Sequence, residues 1–321
     1  MKKFITLFAV MAALSSAALA ADGNYPTKPV RIVVPTAPGG GVDVLARLIG
    51  QKLGERFGEQ FFIDNRPGAA GVIGTRAVTA SAPDGYTLLM APSSLAITAA
   101  IKKKMPYDLV RDLTPIMSVA STPYALIVNP SVPAQSVKEL ISYAKANPDK
   151  LNVSSAGVGS ASHLAAELFN TMAGIKMTHV PNKGMGPAMV DVLGGQVQVL
   201  FAGLPASLTA EKAGTVRVLA VAGPARSVLL PEKPTVAEAG LPGYEIDNWI
   251  GMLAPAGLDP AIVARLNSEI RAVLNAPDIK QKLIELGFEP VGSTPAAFAT
   301  QLDSDVKKWS EIAKQAGVSE D

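Results

Sequence analysis

The sequence has no cysteine and only two histidines, and each shortage argues against a class of site. Without cysteine there is no disulfide framework, no thiolate metal site and no lipid-anchored cysteine. The two histidines, His163 and His179, have no recognisable carboxylate partner in the sequence and make a poor metal site. We therefore expect neither a metal ion nor any other cofactor.

Net charge is also missing once the N-terminal leader is set aside. The chain has 29 Lys and Arg residues against 27 Asp and Glu residues, and Lys2 and Lys3 belong to the leader. A formally neutral mature chain gives no sign of a nucleic-acid or membrane-surface patch. We interpret the short lysine run at 102–104 as a solvated turn and expect no nucleic-acid partner.

Residues 1–20 have the pattern of a secretory signal peptide. A basic start precedes an apolar run, and A-L-A at 18–20 fits the cleavage site. A membrane anchor needs about 20 apolar residues, but Ser15 and Ser16 interrupt this run and no later segment is apolar enough. We expect a soluble periplasmic protein whose mature chain does not insert into the membrane.

Strand-like and helical segments alternate along almost the whole mature chain, which predicts α/β layers over mostly parallel sheets. A length of about 300 residues exceeds one comfortable core, so two domains are expected. The predicted strands are short and apolar, at 31–34, 61–64, 87–90, 125–128, 152–154, 177–180, 197–201 and 217–221. Three helices are predicted to end the chain and to cover the first domain, near 260–274, 278–286 and 295–315.

The most informative stretch joins the first predicted strand to the first predicted helix. V-R-I-V-V is followed by P-T-A-P-G-G-G-V-D and then by apolar residues at helical spacing. Glycines let the backbone turn sharply onto a helix N-terminus, where unpaired N–H groups and the helix dipole favour an anion. Val44 stands where a dinucleotide fingerprint needs a small residue, and no G-K-[ST] follows, so neither familiar phosphate loop fits. Alone, this loop is equally compatible with a tight turn that binds nothing.

Two more loops of the same kind favour a ligand. L-N-V-S-S-A-G-V-G-S-A-S-H at 151–163 again places glycines and serines between a short strand and a helix. N-K-G-M-G-P-A-M starts at Asn182, with Pro187 where a first helical residue is favoured. Several helix N-termini with short polar side chains predict an anion-binding cleft built by two lobes.

Seven motifs in a fixed order carry a resemblance to a known family. They are Y-P-T-K-P-V-R-I-V-V-P, A-P-G-G-G-V-D, N-R-P-G-A-A-G, A-P-D-G-Y-T-L-L, G-V-G-S-A-S-H-L, H-V-P-N-K-G and L-P-G-Y-E-I-D-N-W-I-G. From Tyr25 almost to its end, the chain resembles the extracytoplasmic substrate-binding receptors of tripartite tricarboxylate transporters, the Bug family. The resemblance implies a two-lobed, type II-like periplasmic-binding-protein fold of the α/β class, with the ligand cleft between the lobes.

Lobe boundaries follow from two stretches that look like crossings, near 121–125 and at 242–249. The first lobe is expected to contain 25–122 together with 250–321, and the second lobe 123–249. We expect a monomer that binds a small organic carboxylate and delivers it to membrane transporter subunits.

The resemblance also implies that the carboxylate is held by the loops matching 36–43 and 154–163, through N–H groups, hydroxyls and bridging waters. This agrees with the residues themselves, because neither loop contains Arg or Lys. The candidate ligand-binding residues are Thr36, Ala37, Pro38, Gly39, Gly40, Asp43, Ser93, Ser155, Ala156, Gly157, Gly159, Ser160, His163 and Asn182. Thr36 and Asn182 stand where the family usually has an aromatic residue and a tyrosine, so a roomier and more polar cleft is expected.

Simpler structural roles compete at several of these positions. A carboxylate at Asp43 is favoured in the first turn of a helix and would repel an anionic ligand, so we favour a structural role for it. A structural hydrogen bond is also favoured for His163. Ser160 lacks the G-x-S-x-G elbow of hydrolases, which favours a ligand hydroxyl over a nucleophile. Trp249 and Trp309 are interpreted as packing residues.

Two other functions are weighed against the transport receptor. A secreted hydrolase needs an activated nucleophile or a metal, and the sequence indicates neither. A periplasmic sensor that presents its ligand to a membrane kinase shares every sequence feature with a transport receptor. Only genomic context or a transport assay separates those two.

Overall fold

The structure is a computed structural model that describes residues 25–319, so the predicted signal peptide lies outside the described residues. The described strands are β1 (Val30–Val34), β2 (Phe61–Asn65), β3 (Thr87–Pro92), β4 (Leu113–Ser121), β5 (Tyr124–Val128), β6 (Asn152–Ser155), β7 (Thr178–Pro181), β8 (Val199–Gly203), β9 (Arg217–Val221), β10 (Trp249–Pro255) and β11 (Glu289–Pro290). The described helices are α1 (Gly41–Phe57), α2 (Val72–Thr79), α3 (Ser94–Ile101), α4 (Val137–Ala146), α5 (Ala161–Ala173), α6 (Met185–Leu193), α7 (Leu204–Lys212), α8 (Pro260–Asn275), α9 (Pro277–Glu285) and α10 (Pro295–Ala316).

The strands form two sheets with matching topology, and we call the part built on each sheet a lobe. The first sheet has the order β11-β4-β10-β3-β1-β2 and the second has the order β7-β6-β8-β5-β9. In each, three strands run parallel, β2-β1-β3 and β7-β6-β8. Next to them lies one antiparallel strand, β10 or β5, followed by β4 or β9. The predicted α/β class is confirmed, but the expectation of mostly parallel sheets is wrong, because β5, β10 and β11 pair antiparallel with their neighbours.

Strands β5 and β10 both enter their sheet directly from the other lobe, whereas β11, which pairs antiparallel with β4, follows α9. The chain leaves β4 at Ser121 and begins β5 at Tyr124, and it returns through Asn248 into β10. The three parallel strands of each sheet point towards the crossings. A strand that begins at a crossing therefore runs in the opposite direction to them. The two crossings are tied together, because Thr122 N–H donates to the Asn248 carbonyl at 3.0 Å.

Strand β10 is buried along its whole length, and the sequence analysis missed it. Its seven residues W-I-G-M-L-A-P are all buried between β3 and β4. A strand covered on both faces reads as a continuous apolar run with no period of two, so it cannot be distinguished from a helix by pattern. Strand β4 was missed as well, since it contains Pro115 and its next five residues, 116–120, are all buried and show no period of two.

The three predicted C-terminal helices are confirmed as α8, α9 and α10, with ends within two residues of the expected ones. Helix α8 packs on α1 and β4, and α10 packs on α3 and β4, so both cover the first lobe as expected. Helix α10 also contacts α5 of the second lobe. No helix within 25–319 is long and apolar enough to cross a membrane.

Both tryptophans are packing residues, as predicted. Trp249 is 1% exposed, and its ring lies edge-on to Phe298 with 5.0 Å between the ring centroids. Its indole N–H donates to Asp305 Oδ2 at 2.7 Å, which fastens the start of β10 to α10. Trp309 is 2% exposed in the same apolar cluster.

Candidate ligand-binding site

Four strands of the two sheets lead into helix N-termini around one cavity. β1, β2, β3 and β6 are followed by α1, α2, α3 and α5. Ligands of open α/β sheets bind in the crevice outside the carboxyl ends of the strands. The first four N–H groups of a helix have no acceptor within the helix, so these four ends bring several donors to the same place.

The cavity has a volume of about 440 Å³ and contains residues of both lobes. The first lobe supplies Pro35, Thr36, Pro67, Gly68, Ala70, Gly71, Pro92, Ser94, Thr98 and Ile101, and the second lobe supplies Val158, Gly159 and Ser160. We call it the interlobe cavity. No charged side chain is among these residues, so an anion held here meets dipoles and hydroxyls instead of a cation. A cavity of similar size, about 430 Å³, lies at 105–112 on the first lobe alone, away from these strand ends.

The loop between β1 and α1 is held in shape by Asp43. Its Oδ2 accepts from Gly39 N–H at 2.9 Å and from Arg47 Nε at 3.0 Å, and its Oδ1 accepts from Asn65 Nδ2 at 2.9 Å. Burial alone raises the pKa of this carboxyl, but the hydrogen bonds from Arg47, Gly39 and Asn65 outweigh burial and lower the pKa below its ordinary value. All three contacts lie within the first lobe and are the hydrogen bonds expected of the structural role predicted for Asp43.

The loop between β6 and α5 is closed on itself. Its N–H groups donate within the loop and the first turn of α5: Ala156 to Ser162 Oγ, Gly157 to Ser155 Oγ, Gly159 to His163 Nδ1 and Ser160 to the Gly157 carbonyl, at 2.9 to 3.2 Å. The hydrogen bond predicted for His163 is therefore present. A ligand that uses these amides must replace an internal acceptor.

His163 and His179 stack beneath this loop. Their ring centroids are 3.8 Å apart and the rings are nearly parallel, at 14°. Burial, together with the neighbouring His179, lowers the pKa of His163 to about 4, and burial lowers the pKa of His179. Since His163 Nδ1 accepts the Gly159 N–H, its proton must lie on Nε2, which faces Glu167 Oε1 at 3.8 Å. Both rings are therefore neutral at pH 7 and add no cation to the site.

Ser155 and His179 form a pair that superficially looks like a nucleophile and its base. Ser155 Oγ lies 2.6 Å from His179 Nε2. Ser155 is fully buried, however, and its Oγ also contacts the Gly157 carbonyl and the Gly157 N–H at 3.1 Å each. The pair fixes the turn of the loop and has no open side for a substrate.

Of the predicted site residues, the structure brings Thr36, Gly159 and Ser160 to the wall of the interlobe cavity. Ser93 instead directly precedes α3 and donates from Oγ to Asn248 Oδ1 at 2.8 Å, beside the crossings. Asn182 donates to Ser154 Oγ at 3.0 Å and to Asp191 Oδ2 at 2.8 Å. The other predicted residues lie next to the cavity without lining it: Ala37, Pro38, Gly39, Gly40, Ala156 and Gly157 in the two loops, and Asp43, Ser155 and His163 at the adjoining ends of α1, β6 and α5.

The sequence analysis missed the turn at 67–71, which forms one wall of the cavity. Ala69 and Ala70 both have left-handed backbones, at φ 48° and 53°, a conformation that costs an alanine about 1–2 kcal/mol. Strain of this kind is concentrated at functional sites. The motif N-R-P-G-A-A-G, which follows a predicted strand just as the other two loops do, was the available signal.

Two lobes, paired crossings and a cavity of helix N-termini between them define a solute-binding protein of the two-lobed kind. The chain belongs to the tripartite tricarboxylate transporter family receptors, since the TctC family matches residues 45–318. This family consists of substrate-binding receptors and not of enzymes. Within 25–319 there is also no cluster of His, Asp and Glu that could hold a metal ion.

Individual relatives match over nearly their whole length. The chain is 36% identical to protein BugT of Bordetella pertussis over 304 residues, which is 94% of this chain and 93% of BugT. The structure of Rpa4515 from R. palustris, with adipate, shares 39% identity at a TM-score of 0.74 and covers 92% of this chain and 99% of that one. MatC of Rhodopseudomonas palustris, with bound malate, shares 32% identity at a TM-score of 0.70, covering 90% and 99%. The expected periplasmic-binding-protein fold is thereby confirmed.

Proposed function

We propose that this chain is an exported receptor that binds a small organic carboxylate between its lobes and delivers it to the membrane subunits of a tripartite transporter. The observation that carries the proposal is the interlobe cavity, where four helix N-termini meet and no charged side chain lies. The relatives with adipate and malate support a carboxylate as the ligand class. The leader at 1–20 supports export to the periplasm.

Helix N-termini suit a carboxylate that must be released again. Their N–H groups donate charge-assisted hydrogen bonds, which are about twice as strong as neutral ones. The helix dipoles add favourable electrostatics in a cleft from which water is displaced. A fixed cation would bind more tightly but would also retain the ligand, so neutral donors fit a protein that hands its ligand on.

Binding in this scheme requires movement of the lobes. We take the lobes as predicted, 25–122 with 250–321 and 123–249, except that Trp249 belongs to β10 and so to the first lobe. The two lobes are joined at Thr122 and Asn248. A ligand carboxylate that reaches the Gly159 N–H displaces His163 Nδ1, its acceptor in this structure. The N–H donors of the second lobe are thus paired with internal acceptors in this structure. They bind the ligand only when its carboxylate replaces those acceptors.

The ligand class is tested by thermal shift on the mature protein with organic acids, each paired with its methyl ester. At a ligand concentration of about 100 times Kd, an acid that binds only the native state stabilises it by about 2.7 kcal/mol. For a chain of this size that is a rise in Tm of several degrees. The ester keeps the shape and loses the charge, so it should give no comparable rise. Equal stabilisation by acid and ester would contradict a carboxylate site.

Delivery is tested separately, by uptake of the best-binding labelled acid into cells with and without the receptor. Loss of uptake in the deletion strain, restored by the wild-type gene, is the expected result. Unchanged uptake together with a changed transcriptional response to the acid would favour the sensor over the transport receptor.

A further inference from the structure

We propose that the acid bound in the interlobe cavity carries one carboxylate and an uncharged, apolar body up to about 10 Å long. This inference rests on the proposed function, because it takes the interlobe cavity as the ligand site, and it adds the chemical class of the ligand. The evidence for this inference is the distribution of polar atoms along the cavity wall.

Two hydroxyls that donate to no acceptor within residues 25–319 lie at one edge of the cavity. Thr36 Oγ1 is buried without a hydrogen-bond partner, and Ser94 is the exposed first residue of α3. Strands β1 and β3 are neighbours, with Val33 opposite Leu89. Continuing that register places Thr36 level with Pro92, two residues before Ser94. The carboxylate therefore belongs at this edge, beside the N-termini of α1 and α3, with the Gly159 N–H as its contact from the second lobe.

The two remaining hydroxyls of the wall are already engaged with backbone. Thr98 Oγ1 donates to the Ser94 carbonyl at 2.9 Å, and Ser160 Oγ donates to the Gly157 carbonyl at 2.7 Å. A hydroxyl has a single proton to donate. Neither Thr98 nor Ser160 therefore has a donor left for a second anionic group.

Helix α3 provides a length scale for the cavity. Ser94, Thr98 and Ile101 all line it, and their spacing of four and three residues puts them on one face of the helix. At a rise of 1.5 Å per residue this face is about 10 Å long. It runs from the donor-rich N-terminus at Ser94 to the apolar side chain of Ile101, so a ligand lying along it changes from polar to apolar.

Most of the remaining wall is apolar. Pro35, Pro67, Ala70, Pro92 and Val158 line it, and Val158 is 60% exposed at the tip of the second-lobe loop. A second carboxylate against such a wall would lose its water without gaining partners, which is unfavourable. The lysines at 102–104 follow Ile101 in the chain, but none of the three lines the cavity.

The matched probes are hexanoate and adipate, which have the same carbon chain and differ only in the second carboxylate. Calorimetry on the mature protein should give hexanoate a Kd at least tenfold lower than that of adipate. Rpa4515, the 39% identical relative whose structure contains adipate, is the contrasting case and a control that adipate binding can be measured. Equal affinities, or tighter binding of adipate, would overturn the inference.

Val158→Lys tests the position of the apolar body. The new ammonium offers a partner for a second carboxylate, so the variant should change the ratio of the two Kd values at least tenfold in favour of adipate. Val190→Lys is the matched control, since Val190 is 65% exposed on α6 of the same lobe and does not line the cavity. An unchanged ratio in Val158→Lys, with circular dichroism like that of the wild type, would overturn the inference.

Failure of the inference can be told apart from failure of the proposed function. If malate binds and both six-carbon acids do not, the ligand class proposed here is wrong while the receptor remains a carboxylate receptor. If no acid of a wide panel binds, the proposed function itself is contradicted.

Discussion

Gly40 and Gly159 are both glycines of ligand loops, yet they differ in what a side chain would do there. Gly40 has φ −75°, which any residue adopts, and an added Cβ would meet only the Ala37 carbonyl oxygen at 3.5 Å. Gly159 has φ +74°, in the left-handed region where a β-branched residue is strained. A substitution at Gly40 is therefore expected to affect ligand binding without affecting folding. A substitution at Gly159 would affect both.

Gly40→Val is expected to abolish acid binding while leaving stability within about 1 kcal/mol of the wild type. The isopropyl group would stand between the N-terminus of α1 and the carboxylate. Calorimetry and urea denaturation measure the two effects. Gly58→Val is the control. Gly58 lies at the far end of α1 and has φ +75°, so this variant should lose stability and keep its affinity for the acid. Normal affinity in Gly40→Val would remove the first loop from the site.

His163 gives the protein a defined pH dependence of stability. Its pKa in the folded state is about 4, against 6.5 in the unfolded chain, so below pH 6.5 protons bind preferentially to the unfolded state. The contribution is therefore complete above pH 6.5 and is lost as the pH falls towards 4. Between pH 7 and pH 5 the wild type should lose about 2 kcal/mol more free energy of unfolding than His163→Gln. Lys176→Gln, an exposed substitution in the same lobe, should follow the wild type. Parallel curves for wild type and His163→Gln would contradict the neutral buried imidazole.

At the scale of elements, the carboxyl of Asp247 is partly buried where the start of β10 meets α10, and burial disfavours its charged form. Asp247 immediately precedes the crossing residue Asn248, and its Oδ2 accepts from Gln301 Nε2 at 2.6 Å. Burial raises the pKa of Asp247 to about 6, the Gln301 hydrogen bond opposes the shift, and the negative charge of Asp305 adds to it. Lys308 of α10 lowers this pKa and Glu245 raises it further.

Asp247→Asn is expected to stabilise the protein at pH 8 by about 1–3 kcal/mol, because the amide keeps the acceptor for Gln301 and carries no charge. The folded-state pKa is higher than the unfolded one, so the gain decreases as the pH falls through 6 and becomes small near pH 4. Urea denaturation at pH 8 and pH 4 measures it. Asp303→Asn, on the exposed side of α10, should show no such gain. A destabilised Asp247→Asn at pH 8 would show that the charge is needed at the crossing.

Most elements could be predicted from the sequence because their patterns are local. All eight predicted strands and the three C-terminal helices are present, with small shifts of their ends. Strands β4 and β10 were missed because long runs of both are buried on two faces, so neither shows the alternation that marks a half-buried strand. The insertion of β5 and β10 as antiparallel strands depends on which strands pair, and no short window of sequence contains that information.

The candidate site was predictable in part for the same reason. Asp43 and His163 follow from the chemistry of helix N-termini, and both make the hydrogen bonds expected of them. The wall at 67–71 depends on two left-handed alanines, a conformation for which alanine has no preference. Ser94 and Val158 line the cavity because two lobes meet there. The local sequence of either segment does not show which residues of the other lobe it will meet.

At the scale of the whole molecule, a carboxylate connects the lobes beside the crossings. Glu289 Oε1 of the first lobe accepts from both Ser227 Oγ and Val228 N–H of the second, the latter at 3.1 Å. Ser227 is 1% exposed, and Glu289 lies opposite Ser121, the last residue of β4. We expect this contact to limit how far the lobes separate.

Glu289→Ala is therefore expected to widen the distribution of distances between the lobes in the empty protein and to leave the liganded distribution unchanged. The chain has no native cysteine, so spin labels at Glu55→Cys and Lys145→Cys, one on each lobe, report the distance by pulsed electron resonance. Glu285→Ala, on exposed α9, is the control. An unchanged distribution in Glu289→Ala would show that the contact does not restrain opening.

The central claim is that a carboxylate is held between the lobes by helix N-termini without a cationic partner. A crystal structure of the mature protein with its tightest-binding acid tests this most directly. The account predicts carboxylate oxygens about 2.7–3.1 Å from N–H groups of the loops at 35–40 and 156–160. It also predicts a Gly159 N–H that is no longer bonded to His163. An acid found at another cavity, or a carboxylate paired with Arg or Lys, would contradict it.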